Sequence, residues 1–182
     1  MTYDTYADTS SPNSLYSLYI DTVVPTIVVN QTLPNQAFFI TNSATLRYDL
    51  YAGRVNLNDI YTLNPFKDIY YYFPSVPGRN LTALVSHITT QKKDYAPERT
   101  PYFPMGKAAA SYDDPFYYSN ITIHANRLYD VLCADYDSVS LSSYIQDNFN
   151  ITRLLYPTDV DSTTAWERYT RQYLPCSADC LC

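Results

Sequence analysis

The segment from Ala37 to Phe66, AFFITNSATLRYDLYAGRVNLNDIYTLNPF, decides the fold. It opens on Ala37 to Thr41, a β-branched and aromatic run that reads as a strand. The run breaks into the polar pair Asn42-Ser43, and Arg47 follows in what reads as a turn. Gly53, Asp59 and Tyr61 then lead to Pro65, which presents Phe66. A cation and an aromatic face are the groups with which a protein holds a nucleoside or nucleotide. The plainer assignments are a turn arginine paired with Asp49 or Asp59, and a phenylalanine packed in the core.

A chain of 182 residues suits one domain with a sizeable core. Hydrophobic residues make up 46% and charged residues 16%, a globular composition that argues against disorder. The departures are 21 Tyr and only 3 Gly. Tyrosine brings apolar area with a polar tip, which suits either a tyrosine-rich β protein or an interface. The net charge of -6, with Lys67, Lys92, Lys93 and Lys107 as the lysines, works against nucleic acid and anionic membranes as partners. No apolar run approaches the roughly 20 residues of a membrane span. The opening MTYDTYAD has neither the basic nor the apolar region of a signal peptide, so Met1 reads as an internal residue as readily as a start.

Secretion is still the better inference. Asn30, Asn80, Asn120 and Asn150 each begin an Asn-x-Thr triplet, the acceptor for N-linked glycans, with chance matches in an Asn- and Thr-rich chain as the alternative. Cys133, Cys176, Cys180 and Cys182 are even in number, as an oxidised framework requires. Three fall in the last seven residues, which implies a bridge from the tail to Cys133 or within the tail itself. Zinc is the rival, but Cys-x3-Cys-x-Cys lacks paired spacing and a nearby His.

Along the chain, residues 1–13 read as an extended polar arm, 14–175 as one domain and 176–182 as a cysteine-rich tail. Leu15, Leu18, Tyr19 and Val23 recur at helical spacing, and Pro25 closes that helix. Thr26 to Val29 and Ile69 to Phe73 read as further strands, the second closed by Pro74-Ser-Val-Pro-Gly78. Leu81, Leu84, Val85 and Ile88 trace one helical face, with His87 off that stripe and solvated. Lys92 to Pro115, rich in proline, reads as a long irregular excursion and a candidate partner surface. Ile121 and Ile123 alternate with His124, which reads as an outward strand residue. Tyr129 to Tyr136 reads as a buried strand, Leu141 to Phe149 as a helix, and Thr164 with Glu167 as the capping box of a last helix. On that helix Trp166, Tyr169, Thr170, Tyr173 and Leu174 share a face, and Pro175 ends it. Strands mixed with helices imply an α+β fold, a mixed sheet with packed helices.

The Ala37 to Phe66 segment resembles the C-terminal domain of the 5'-nucleotidase family, nearest to the secreted fungal nucleotidase-like metallophosphoesterases. In that family an apolar strand runs into Asn-Ser/Thr-Gly-x-x-Arg, a Gly-bearing turn, Asp-x-Tyr and Pro-Phe. The counterparts are Asn42, Ser43, Ala44, Arg47, Gly53, Asp59, Tyr61, Pro65 and Phe66. The likeness extends upstream through Leu15 to Asn30 and downstream to Val76-Pro77, and is looser beyond. It implies a 5'-nucleotidase C-terminal-like fold and a nucleoside base held between two aromatics, with the arginine supporting the substrate. Arg47, Phe66 and Asp68 supply the first half of such a site, and Tyr136 stands where the second aromatic is needed. Ala44 replaces the turn glycine, and Ala-Asp-Tyr-Asp-Ser-Val-Ser lacks the later glycines that let backbone approach a ligand.

Hydrolysis in the family uses two metal ions held by Asp, Asn and several His in a separate domain. The two histidines here, His87 and His124, lie in none of the required settings, so no catalytic residue, metal or cofactor is expected. Asp113-Asp114 reads as a solvated loop rather than a cation site. The expectation is a secreted, N-glycosylated, non-catalytic module that is structural or self-associating, with itself or another extracellular protein as partner. The alternative is the nucleoside-recognition domain of a two-domain 5'-nucleotidase.

Overall fold

In the computed structural model the apolar run of the deciding segment becomes β1, Gln36–Asn42, with its last five residues buried. The structure describes residues 18–28, 33–42, 45–47, 55–94, 116–119, 121–158 and 160–173. A strand covered on both faces carries apolar residues at successive positions, as Phe38, Phe39 and Ile40 do. β1 pairs antiparallel with β3, Phe116–Tyr118, and parallel with β4, Leu128–Ala134, where Phe38 faces Val131 and Phe39 faces Leu132. Beyond β4 lie β2, Tyr70–Pro77, and the two-residue edge strand β5, Leu154–Leu155, both antiparallel to their neighbours. The order is β3-β1-β4-β2-β5, a mixed sheet.

Side-chain alternation splits the apolar residues into two cores. On one face Phe39, Tyr70 and Leu132 pack against α1, a π-helical turn over Tyr19–Val23, α2, Pro25–Val28, α3, Leu57–Leu63, and α6, Ser162–Tyr173. On the other, Phe38, Phe73 and Val131 meet α4, Gly78–Asp94, and α5, Asp135–Phe149. The fold is α+β with helices on both faces of the sheet. Trp166 is fully buried and stacks on Tyr19, ring centroids 5.6 Å apart.

Several elements depart from the sequence expectation, each for a physical reason. Thr26 to Val28 is helical, not extended: Pro25 opens α2 with its φ already fixed, and Thr26 Oγ1 donates to Val23 O at 2.6 Å. Val29 lies outside the described residues, as do the arm, the residues before Leu18, positions 95–115 and the tail. Lys92 to Asp94 continue α4 rather than opening the excursion. β2 runs through Pro74 to Pro77 because a register shift between Phe73 and Val76 places the proline and Ser75, at φ 54°, in a bulge. Asp130 holds that bulge, accepting from Ser75 N–H at 2.8 Å and from Asn35.

The strand expected to reach Tyr136 ends at Ala134, and α5 begins at Asp135, six residues before Leu141. Asp135 and Asp137 sit in its first turn, where carboxylates face the positive end of the helix dipole. Residues 121–124 are not a strand; Ile121 and Ile123 pack on the second core, and His124 O closes a turn by accepting from Arg127 N–H. His87 is half-buried and stacks on Tyr144 at 3.9 Å. The α6 cap is Asp161, whose carboxylate accepts from Thr164 N–H at 2.7 Å, while Glu167 accepts from the Tyr61 hydroxyl. α3 is an element the turn reading overlooked. Asn56 and Asp59 form its capping box, each side chain accepting from the other's backbone N–H.

Candidate functional site

The expected cation and aromatic are brought together. The end of α3 fixes both: Arg47 N–H donates to Leu63 O at 2.7 Å, and Phe66 follows three residues later. The Arg47 guanidinium then lies over the Phe66 ring, 5.1 Å from its centroid. Phe66 is 37% exposed, so it is not a core residue. Asp59 is engaged in the α3 cap instead of pairing with Arg47, and Asp49 lies outside the described residues.

Phe66 and Asp68 are positioned through their backbone by the start of α6. Ser162 Oγ–H donates to Phe66 O at 2.5 Å, and Thr163 Oγ1–H to the same oxygen at 3.0 Å. Ser162 also binds Asp68 reciprocally, its N–H donating to Asp68 O at 3.0 Å and its Oγ accepting from Asp68 N–H at 3.2 Å. The start of α5 joins the group through Asp135 N–H, which donates to Ile69 O at 2.9 Å. Tyr136 stands in that first turn, half-exposed, with no ring contact to Phe66. Phe66 and Asp68 therefore follow the end of α3, Arg47 is brought to that end by its bond to Leu63, and Tyr136 lies on α5.

The surroundings are acidic. Burial raises the Asp68 carboxyl above its usual range, and Asp135 and Asp161 push it the same way. Asp135 pairs with Arg153 at 2.8 Å, and the Arg153 guanidinium lies 4.4 Å over the Tyr71 ring. Beneath them Asp137 is fully buried. Its Oδ1 accepts from Asn42 Nδ2, and its Oδ2 has no partner. Burial pushes this carboxyl up to about 7; the Asn42 bond pulls it down and Asp68 pushes it up. Deeper still, the Tyr19 and Tyr70 hydroxyls are 2.8 Å apart, both phenols raised by burial. The exposed part of the Phe66 ring suits a planar uncharged group, and the clustered carboxylates suit hydroxyl donors.

Asn42 is legible as part of the segment's polar turn, and Asp137 is much less so. Its signal is an Asp-x-Asp pair directly after a buried strand. Among the described residues no group of three or more His, Cys, Asp or Glu could hold a metal ion. Cys133 is a free thiol near the end of β4, buried against the second core, and burial raises it well above its usual range. Cys176, Cys180 and Cys182 lie outside the described residues, as do Asn30 and Asn120. Asn80 is half-buried in the first turn of α4, and Asn150 is exposed at the end of α5. No helix among the described residues is long and apolar enough to cross a membrane.

The mixed sheet, its two helical layers and the strand-to-arginine turn define a domain of the 5'-nucleotidase C-terminal class. Residues 2–122 match the family model described as NAD nucleotidase, C-terminal domain, and the chain belongs to that family. It is similar to a "Secreted protein" of Arthroderma benhamiae, 28% identical over 51% of this chain, and to a protein of Schizosaccharomyces pombe, 30% identical over 46%. It spans 14% of the length of each of these relatives. Among solved structures, the 5'-nucleotidase of Candida albicans superposes over 93% of this chain and 38% of its own, with a TM-score of 0.65 and 13% identity. The NAD nucleotidase of Haemophilus influenzae superposes over 90% of this chain and 32% of its own, with a TM-score of 0.56 and 13% identity. These structural likenesses concern the fold.

Proposed function

We propose that this chain is a secreted nucleoside-recognition domain that does not itself hydrolyse phosphate esters and serves a metal-bearing catalytic domain in a longer protein. The observation that carries this reading is the Arg47 guanidinium lying over the half-exposed ring of Phe66. Family membership and the partial coverage of longer relatives support it. Arg47 caps one face of the ring, so a base stacks on the other face or displaces the guanidinium. Calorimetric titration of the chain with adenosine tests the site. Loss of a stacking face removes about 1 to 3 kcal/mol per base, so Phe66→Ala is expected to weaken binding by roughly 5- to 150-fold. A wild-type chain that binds no adenosine at millimolar concentration overturns the reading.

Secretion is supported by the Arthroderma benhamiae relative's description and by the four Asn-x-Thr triplets. The buried Cys133 thiol favours a bridge within the tail among Cys176, Cys180 and Cys182. A second reading, a self-associating extracellular module, draws on β5, the edge strand among the described residues, where Leu154 and Leu155 are 46% and 56% exposed. An unpaired edge with apolar side chains is a template for pairing with another sheet. Light scattering tests it: the chain should be larger than a monomer, and Leu155→Lys should return it to one. A monomeric wild type at all concentrations removes this reading.

A further inference from the structure

Asn150 ends α5 in the left-handed conformation, at φ 54° and ψ 39°, and its N–H closes the helix on Gln146 O at 2.9 Å. Asparagine tolerates this conformation better than other residues with a Cβ. The residues on either side, Phe149 and Ile151, both pack on the second core, so the residue between them is exposed. Its Oδ1 accepts from Gln146 Nε2 at 3.1 Å, and the exposed Thr152 hydroxyl donates to Gln146 Oε1 at 2.9 Å. One glutamine thus holds both functional groups of the Asn150-Ile151-Thr152 triplet at the surface. Asn150 Nδ2 has no partner among the described residues.

The other described triplet is built differently. Asn80 is the third residue of α4, half-buried, and its Thr82 hydroxyl is committed to Gly78 O at 2.9 Å. The start of α4 is covered by the turn that precedes β4, with Gly78 N–H donating to Arg127 O and Arg79 N–H to Ala125 O. A Cβ on Gly78 would lie 2.0 Å from His124 O, which leaves little space beside that first turn.

We propose that Asn150 is the described residue that carries an N-linked glycan, a proposal that rests on the secretory reading above. The donor is an oligosaccharide on a polyprenyl pyrophosphate. The Nδ2–C1 bond forms as the sugar C1–O bond breaks, Nδ2 loses one proton, and polyprenyl pyrophosphate leaves. Oδ1 is unchanged, so the Gln146 bond survives in the product. α5 rises about 1.5 Å per residue, so its 15 residues set the glycan about 22 Å along the helix from the Asp135 end that meets the candidate site. A glycan there leaves the exposed Phe66 ring uncovered.

The test is peptide mapping of the full chain, secreted from a eukaryotic host behind a cleavable signal peptide, after enzymatic deglycosylation in heavy-oxygen water. Asn150 is expected to carry the isotope label. Asn150→Gln and Thr152→Ala should each remove one glycan's mass, Thr152→Ser should keep it, and Asn80→Gln should leave the Asn150 label unchanged. Wild-type protein secreted with Asn150 unlabelled, whether or not another triplet is labelled, overturns the proposal. Fractionation of the natural source tests secretion separately, because a protein confined to the cytosol would end that reading while the forced route still reports on Asn150.

Discussion

Asp137→Asn is expected to stabilise the protein most above neutral pH and by less than half as much at pH 5. Asp137 is 0% exposed, with one oxygen bonded to Asn42 and the other unpartnered. Burial raises its carboxyl from 3.8 to about 7, and Asp68 adds to the rise. Between those two values the unfolded chain gives up the proton and the folded chain keeps it, so stability falls as pH rises through this window and levels off above about 7. At about 1.4 kcal/mol per tenfold change in proton affinity, the full penalty is on the order of 4 kcal/mol. Asparagine keeps an oxygen for Asn42 and places an N–H where the neutral acid holds its proton, so it escapes that penalty. Urea unfolding at pH 5 and pH 8, followed by the fluorescence of Trp166, the chain's single tryptophan, measures both effects. The wild type should lose at least about 2 kcal/mol between the two conditions, and Asp137→Asn should recover most of it. Some pH dependence should remain in the variant, because Asp68 is shifted in the same direction. Equal wild-type stability at both pH values, or a variant less stable than wild type at pH 8, would refute the reasoning.

Gly78→Ala should lower stability by about 2 kcal/mol or more, because its Cβ would meet the His124 backbone oxygen rather than a side chain that can turn away. A urea midpoint unchanged from wild type would show that the α4 start is not held against that turn. Adenosine should bind more tightly than AMP at low salt, since Asp68, Asp135 and Asp161 lie together at the site and Arg153 offsets only one of them. Salt should narrow the gap by screening the phosphate's repulsion, and tighter binding of AMP in titration would contradict the acidic character of this surface.

Residues whose own neighbours dictate their conformation were legible in the sequence. Phe38 to Ile40, Tyr70 to Phe73, the Leu81-Leu84-Ile88 stripe and the Trp166 helix all read correctly, because their apolar periods match the faces they bury. The failures lie where tertiary contacts override local preference. Thr26 and Val28 favour strands, yet the first core needs a helical turn there, with Ile27 buried under α6. α5 begins on Ala134, which makes no side-chain cap, so no capping signal marks its start. Asp161 is masked as the cap because Thr164 and Glu167 satisfy the same spacing rule one turn later. At the site, Arg47 and Phe66 were legible as a motif. Asp137 was not, since nothing local distinguishes an aspartate that will be buried from one in a polar turn.

The candidate site also shows why the second half of the chain belongs to the functional unit. Arg47, Phe66 and Asp68 fall within the family-matched residues 2–122, but their placement depends on residues beyond them. Phe66 is too exposed for packing alone to fix it, and its carbonyl is held by Ser162 and Thr163 of α6. The segment that carries it leads into β2, which pairs along its length with β4, the sheet's central strand. Asn42, at the end of β1, meets its carboxylate partner on α5. A chain cut at residue 122 would keep the motif and lose β4, the α6 latch and the buried carboxylate together. The cation and the aromatic are encoded in one stretch of sequence, and the geometry that joins them is supplied by residues about 100 positions away.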